Sequence, residues 1–220
     1  MKNILALLKL DYRLIVTYWK WWLAFFIISI FISVVNESGA AFSFIFALFA
    51  MTMMALPFEV ADKNNLHLLY ATLPTNRKSM LMSRYGFMLA SLLALLIISV
   101  PVGLIIDLIF SNAMSLSIYL TFLSLAVGAF LVAVGVQTPF LYKFGYAKGR
   151  IFMWIPLVIV IVVINLPPLF SLLRLEIEFN VLNILLSNSL VTSLVSLGGG
   201  ALVFIISYFM ARRVYLRKDF

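Results

Sequence analysis

The chain has 220 residues, of which 65% are hydrophobic and 11% are charged, and its mean hydropathy is +1.14. These values are typical of a protein whose solvent is lipid, and they exclude an ordinary water-soluble domain. The chain has no cysteine, which excludes disulfides and cysteine-ligated metals. Because His67 is the only histidine, the sequence does not support a metal centre built from histidines or a Ser-His-Asp triad.

The first element in chain order is an amphipathic helix that we predict over residues 2–20. Lys2, Lys9, Arg13 and Lys20 are spaced 7, 4 and 7 residues apart. At about 100° per residue they share an arc of roughly 40°, beside an apolar face. A basic amphipathic helix that precedes a span lies in the headgroup plane of the membrane. A plain extension of the first span is the open alternative.

Six nearly charge-free apolar stretches follow, and a bilayer core takes roughly 20 such residues as a helix. They run over residues 21–35, 40–57, 85–109, 117–140, 151–170 and 190–211. We therefore predict an all-α integral membrane protein with six transmembrane helices, which form one domain over residues 1–220. Only Asp107 places a charge inside a span. Because it lies within one turn of the outer end of the third span, we expect it to face the membrane interface.

The positive charges fall almost entirely on one side of these spans. Of the 16 Lys and Arg residues, 15 precede span one, separate spans two and three or four and five, or follow span six. Only Arg174 lies on the other side. The positive-inside rule then places both termini in the cytoplasm and the spans in the cell membrane. The net charge of +8 is accordingly a topology signal and does not indicate a nucleic-acid partner.

Two connections carry patterns of their own. The cytoplasmic connection, residues 58–84, is predicted to hold a short helix with Leu66, Leu69 and Tyr70 along one side. Such a helix suits docking into a groove on a soluble partner, with a solvated loop as the open alternative. The external segment, residues 171–189, is too apolar for a free loop and too short to span. This indicates an interfacial or re-entrant piece that forms either an external gate or a cap.

The spans supply little chemistry of their own. Intramembrane catalysis and proton coupling need ionisable side chains at depth, and five of the six spans have none. The ATP-binding pattern GxxxxGK[ST] is absent from the sequence. We therefore predict a membrane subunit that is not an enzyme, holds no cofactor and has no energy source of its own.

Small residues mark two spans. Ser124, Gly128 and Gly135 lie about one face of the fourth span, where small side chains let helix backbones approach closely. The run Gly198–Gly200 in the sixth span predicts either close contact with a neighbouring helix or a flexing point in a gate.

The connection after the second span carries a recognisable series of residues. In order these are Glu59, Lys63-Asn64-Asn65, Tyr70, Leu73-Pro74, Arg77-Lys78 and Arg84-Tyr85. The series resembles that of the small six-span permeases of the ABC-2 type exporter family. The start of the chain, Asn3-Ile4-Leu5 through Asp11, is also similar to the family's usual start.

The resemblance implies a dimer of two permeases, identical or paralogous, with two separate ATPase subunits that bind ATP and Mg docked below it. It implies a coupling helix around residues 66–73, seated in a groove of the ATPase. The implied ATPase contacts are Glu59, Asp62, Leu66, His67, Leu69, Tyr70, Leu73, Arg77 and Lys78.

Within the family, the chain is most similar to permeases that export antimicrobial peptides and phenol-soluble modulins. That similarity implies ATP-driven export of hydrophobic or amphipathic peptides. The candidate residues of an apolar substrate path are Trp22, Phe26, Phe42, Phe46 and Trp154, with a lipid-facing position as the alternative for most of them. The competing functions are a secondary transporter, which predicts buried charges that the spans lack, and a non-transporting immunity or accessory subunit.

Overall fold

Every element that the structure describes is an α-helix. A computed structural model describes residues 9, 11–13, 16–63, 77–110, 116–172 and 188–216, apart from the side chains of residues 77, 147 and 150–172. The helices are α1 (Trp19–Val35), α2 (Gly39–Met53), α3 (Leu56–Lys63), α4 (Arg77–Ile109), α5 (Leu116–Leu172) and α6 (Ser189–Leu216). Residues 9, 11–13, 16 and 17 are helical as well. The predicted all-α class is confirmed.

Four segments are long and apolar enough to cross a membrane. Within the described residues these are Gly39–Lys63, Lys78–Ile109, Leu116–Tyr146 and Ser189–Leu216, and α1 is a shorter apolar helix of 17 residues. They confirm a membrane protein. The count of six spans stays a prediction, as does the segment 171–189, of which residues 173–187 lie outside the described part of the chain.

The second span does not end where the sequence predicted. Helix α2 ends at Met53, a turn follows at residues 54–55, and α3 begins at Leu56 and continues to Lys63. Pro57 was expected to close the span, but it is the second residue of α3, where the helix does not use the backbone N–H that proline lacks. The first residues of the predicted connection 58–84 therefore extend the span as a bent helix.

The fourth and fifth spans meet without a connecting loop. Helical backbone runs from Leu116 to Leu172 and is interrupted only at Gly145, where φ is 73° and ψ is 174°. Glycine reaches a positive φ without the steric cost that a Cβ imposes, so this residue provides the kink. The predicted separation of the two spans by a charged connection is reduced to one sharp bend.

Close packing between α5 and α6 confirms the prediction from the small residues of the fourth span. A Cβ placed on Gly128 would lie 2.1 Å from Ser196 Oγ and 2.6 Å from its carbonyl oxygen. The hydroxyl of Ser196 donates to the carbonyl of Ser124 at 3.0 Å. In the Gly198–Gly200 run, only Gly200 contacts this interface, since a Cβ on either of the other two glycines meets no described atom within 4 Å.

Asp107 was expected to face the membrane interface, and that prediction is wrong. Its side chain is buried, and its Oδ1 accepts a hydrogen bond of 2.6 Å from the backbone N–H of Gly39. Gly39 is the first residue of α2, so the carboxylate satisfies a helix-terminal N–H that has no partner within the helix. Asp107 thus links the first residue of α2 to the C-terminal end of α4.

Candidate functional site

Four of the five residues predicted for a substrate path come together between α1 and α2. Phe42 and Phe46 stack with ring centroids 5.5 Å apart. Phe26 meets both of them edge to face at 5.7 and 5.8 Å, and Trp22 meets Phe46 at 6.3 Å. The side chain of Trp154 lies outside the described residues.

The lipid-facing alternative is wrong for Phe42 and Phe46. Both rings are buried, with exposed fractions of 0% and 3%, because α1 covers the face of α2 that carries them. As packed here the four aromatic rings fill the space between the two helices. Their role in a substrate path stays a prediction.

Helix α3 joins the predicted coupling segment to the kink in α5. The backbone N–H of Tyr146 donates to Asp62 Oδ2, directly after the positive φ at Gly145. Glu59 forms an ion pair with Lys63 one turn along the same helix. Asp62 is exposed, and its predicted contact with a partner ATPase stays a prediction beside this bond to the α5 backbone.

A second group of side chains links α3 to the N-terminal segment. We call it the Arg84 cluster, and it consists of Asp11, Phe58, Arg84, Tyr142 and Tyr215. Arg84 Nε lies 3.6 Å from Asp11 Oδ2, and its Cζ lies 4.5 Å above the centre of the Phe58 ring. Phe58 packs edge to face on Tyr142 at 5.0 Å, and Tyr142 packs on Tyr215 at 5.0 Å.

The ion pair of the Arg84 cluster is buried. The side chains of Arg84 and Asp11 are 6% and 4% exposed. Burial raises the pKa of Asp11 above its ordinary value, and the positive charge of Arg84 lowers it in part. Removing one partner of a buried pair leaves an uncompensated charge, so this contact fixes the N-terminal segment against α4.

Sequence reasoning counted Arg84 as a loop cation and did not single out Asp11 as a site residue. One signal was available, because Asp11 is the only acidic residue within the predicted basic helix over residues 2–20. Its partner could not be identified, since 72 residues separate the two positions and a cation before a span is ordinarily explained by topology.

The predicted ATPase contacts are only partly described. Lys78 is exposed at the start of α4, and Arg77 is the first residue of that helix, with its side chain outside the described part. Leu66, His67, Leu69, Tyr70 and Leu73 lie outside the described residues. No group of three His, Cys, Asp or Glu residues that could hold a metal occurs in the described part of the chain.

The fold defines a multi-helix membrane protein whose connection between its second and third spans is anchored at both ends in packed helices. The chain belongs to the ABC-2 transporter family, since a family model described as ABC-2 family transporter protein matches residues 6–216. No curated protein and no solved structure matches this chain.

Family membership gives the chain its general role. It is the membrane-spanning permease subunit of an ABC transporter, and such a subunit is not itself catalytic. Permeases of this family normally work with a separate ATPase subunit.

Proposed function

We propose that this chain is the permease of an ATP-driven exporter that carries hydrophobic or amphipathic peptides out of the cell. It works as one of a pair of permeases, with both termini in the cytoplasm. A separate ATPase binds ATP and Mg and docks on the coupling helix around residues 66–73. The observation that carries the coupling step is the anchoring of α3 and α4, the two helices on either side of that segment.

Helices α3 and α4, which precede and follow the coupling segment, both make contacts through which a displacement can reach other helices. At the end of α3, Asp62 is bonded to the backbone beside the α5 kink. At the start of α4, Arg84 is held between Asp11 and Phe58. Because packed protein interiors are dense and transmit strain, a push on the coupling segment reaches α5 and the N-terminal segment together.

The charge distribution supports an apolar substrate. Asp107 is the only Asp, Glu, Lys or Arg residue within the predicted spans, and its carboxylate accepts a hydrogen bond from the N-terminus of α2. A charged small substrate at depth would need a partner charge, because burying an isolated charge costs several kcal/mol. An amphipathic peptide can instead bury its apolar face against aromatic and aliphatic side chains.

The docking step is tested by Leu69→Asp, with Leu216→Asp as the matched control. Leu216 lies at the end of α6, partly exposed, so the same change there adds a charge away from the coupling segment. We expect Leu69→Asp to abolish co-purification of the ATPase while membrane insertion is intact, and the control to retain it. Normal ATPase association of the Leu69→Asp chain would remove the coupling-helix assignment.

The substrate class is tested with the reconstituted permease–ATPase complex. We expect an amphipathic helical peptide to stimulate ATP hydrolysis and to accumulate inside inverted vesicles in an ATP-dependent way. The control is a peptide of the same composition whose sequence order destroys the apolar face. Equal responses to both peptides would contradict recognition of amphipathicity, and accumulation of neither would favour a non-transporting subunit.

A further inference from the structure

A groove opens beside the N-terminal helical segment and shares Trp22 and Phe46 with the aromatic rings packed between α1 and α2. Its volume is about 460 Å³, within the range of about 300–1,000 Å³ that is usual for small-molecule sites. It lies where the N-terminal segment and the start of α1 approach α4. The lining residues are Tyr12, Val16, Trp19, Trp22, Phe46, Phe87, Ala90, Ser91, Ala94, Leu95 and Ile98.

The walls of the groove are apolar and one side is open. Ala90 and Ala94 lie one turn apart on α4, and their small side chains leave the space that larger residues would fill. Tyr12, Trp19 and Ile98 are 62%, 55% and 42% exposed, so the groove opens at the surface of the chain. Tyr and Trp are the side chains that membrane proteins place at headgroup level.

The contact between the N-terminal segment and α4 fixes the shape of the groove. Asp11 forms the buried ion pair with Arg84, while its neighbour Tyr12 lines the groove. The hydroxyl of Thr17 donates to the carbonyl of Arg13 at 3.0 Å, as expected of a helical turn beside Val16. The groove is therefore a built feature of the fold, with the N-terminal segment and α4 as facing walls.

Positive charges stand beside the groove. Lys9, Arg13 and Lys20 are all exposed, and none of them forms an ion pair with any other residue that the structure describes. At about 100° per residue, Lys9 and Arg13 lie roughly 60–100° around the helix from Tyr12. An apolar groove with cations along its rim is complementary to a molecule with an anionic head and a hydrocarbon chain.

We propose that this groove binds one anionic phospholipid of the inner leaflet. An acyl chain lies along Ala90, Ala94 and the facing aromatic rings, and the phosphate contacts Arg13 and its neighbouring lysines. The guanidinium matches a phosphate bidentately, and basic residues near a membrane surface attract anionic lipid. Bound there, the lipid bridges the N-terminal segment and α4, the same two elements that the Asp11–Arg84 pair joins.

The proposal can be tested by tryptophan quenching in lipid vesicles. A chain with Trp21→Phe and Trp154→Phe keeps only Trp19 and Trp22, which both line the groove. Phosphatidylcholine vesicles contain brominated phosphatidylglycerol or, in a parallel set, brominated phosphatidylcholine at the same low mole fraction. We expect the anionic lipid to quench severalfold more strongly, because it is enriched in the groove.

Two pairs of variants distinguish the groove from the general membrane surface. Ala94→Phe fills the groove and should remove the excess quenching by phosphatidylglycerol, whereas Leu93→Phe, at a 61% exposed neighbour outside the groove, should retain it. Lys9→Gln with Arg13→Gln should remove most of the severalfold preference, because both cations next to Tyr12 are then lost. Lys143→Gln with Arg213→Gln removes two exposed charges elsewhere and should leave it unchanged.

Equal quenching by the two brominated lipids would overturn the proposal, as would quenching by neither. Undiminished quenching in the Ala94→Phe chain would also overturn it, since the lipid would then lie outside the groove. If Ala94→Phe does not fold, the charge variants decide alone, because an unchanged preference in the Lys9 and Arg13 double variant contradicts a rim-bound headgroup.

Discussion

Adjacent glycines of α6 should respond in opposite ways to the same added methyl group. A Cβ at Gly200 would lie 3.0 Å from both the Cα and the carbonyl oxygen of Gly128, whereas a Cβ at Gly199 meets no described atom within 4 Å. The obstruction at Gly200 is backbone, so α5 and α6 must separate by a few tenths of an ångström. Overpacking of this kind costs about 1–3 kcal/mol. Alanine recovers up to about 1 kcal/mol in a helix interior at either position.

The difference between the two variants isolates the packing cost, since both gain the same helix propensity. We expect Gly199→Ala to be neutral or slightly stabilising, and Gly200→Ala to be less stable than Gly199→Ala by about 1–3 kcal/mol. Gly128→Ala should cost at least as much as Gly200→Ala, because its Cβ would lie 2.6 Å from the carbonyl oxygen of Ser196.

The assay is reversible unfolding by sodium dodecyl sulfate in mixed micelles, followed by circular dichroism. The protein should be dilute, so that association with a second chain does not contribute to the free energy of unfolding. Equal destabilisation by Gly199→Ala and Gly200→Ala, or a larger effect at Gly199, would refute the interpretation that α5 and α6 pack through Gly200.

Three further outcomes follow from buried or bonded carboxylates. Asp107→Ala should lower the free energy of unfolding by about 1–2 kcal/mol in the same assay, because the N–H of Gly39 loses its acceptor, and Asp107→Asn should cost less. A carboxyl whose pKa is raised by folding binds more protons in the folded state, so stability falls as the pH rises through that pKa. The charge of Arg84 lowers the raised pKa of Asp11 in part, so Arg84→Met should raise that pKa further and steepen the fall of stability with pH. At neutral pH the same change should lower the free energy of unfolding by about 3–5 kcal/mol. Thermal melts at mildly acidic and mildly alkaline pH measure this, and Asp11→Asn should flatten the dependence. Asp62→Ala should reduce peptide-stimulated ATP hydrolysis severalfold without loss of ATPase binding, and unchanged stimulation would contradict its role at the α5 kink.

The helical class was predictable because its signal is additive along the chain. Long apolar stretches without charge leave only helices as a way to satisfy the backbone in lipid, whatever their partners. Close packing at Ser124, Gly128 and Gly135 was also predictable from local sequence. A row of small residues on one helix face permits close approach by any neighbouring helix. The identity of the partner, α6, required the structure.

The sequence did not predict where the second span bends or how the fourth joins the fifth. The predicted span ended at Pro57, but Pro57 lies in the first turn of α3, where the N–H that proline lacks is not needed. Gly145 lies within the charged connection predicted between the two spans, and its positive φ and the neighbouring bond to Asp62 were found only in the structure.

The remaining wrong or missed predictions concern charged side chains whose partners are distant in sequence. Asp107 seemed suited to the interface because an unpaired carboxylate in a span is costly, and its partner, the N–H of Gly39, lies 68 residues away. The Asp11–Arg84 pair was missed for a similar reason. The local sequence shows that burying a charge is costly. The partner that compensates for this cost is distant in sequence and is identified only from the fold.

On the proposed function, these pairings determine how ATPase movement would reach the rest of the permease. The coupling segment is continuous with α3, and α3 is continuous with the second span through the turn at residues 54–55. At its other contacts α3 meets the α5 kink through Asp62 and the Arg84–Asp11 pair through Phe58. Gly145 offers the least resistance among these contacts, because glycine has no Cβ to oppose a change of φ. A displacement of α3 should therefore appear first as a change in the angle between the two halves of α5.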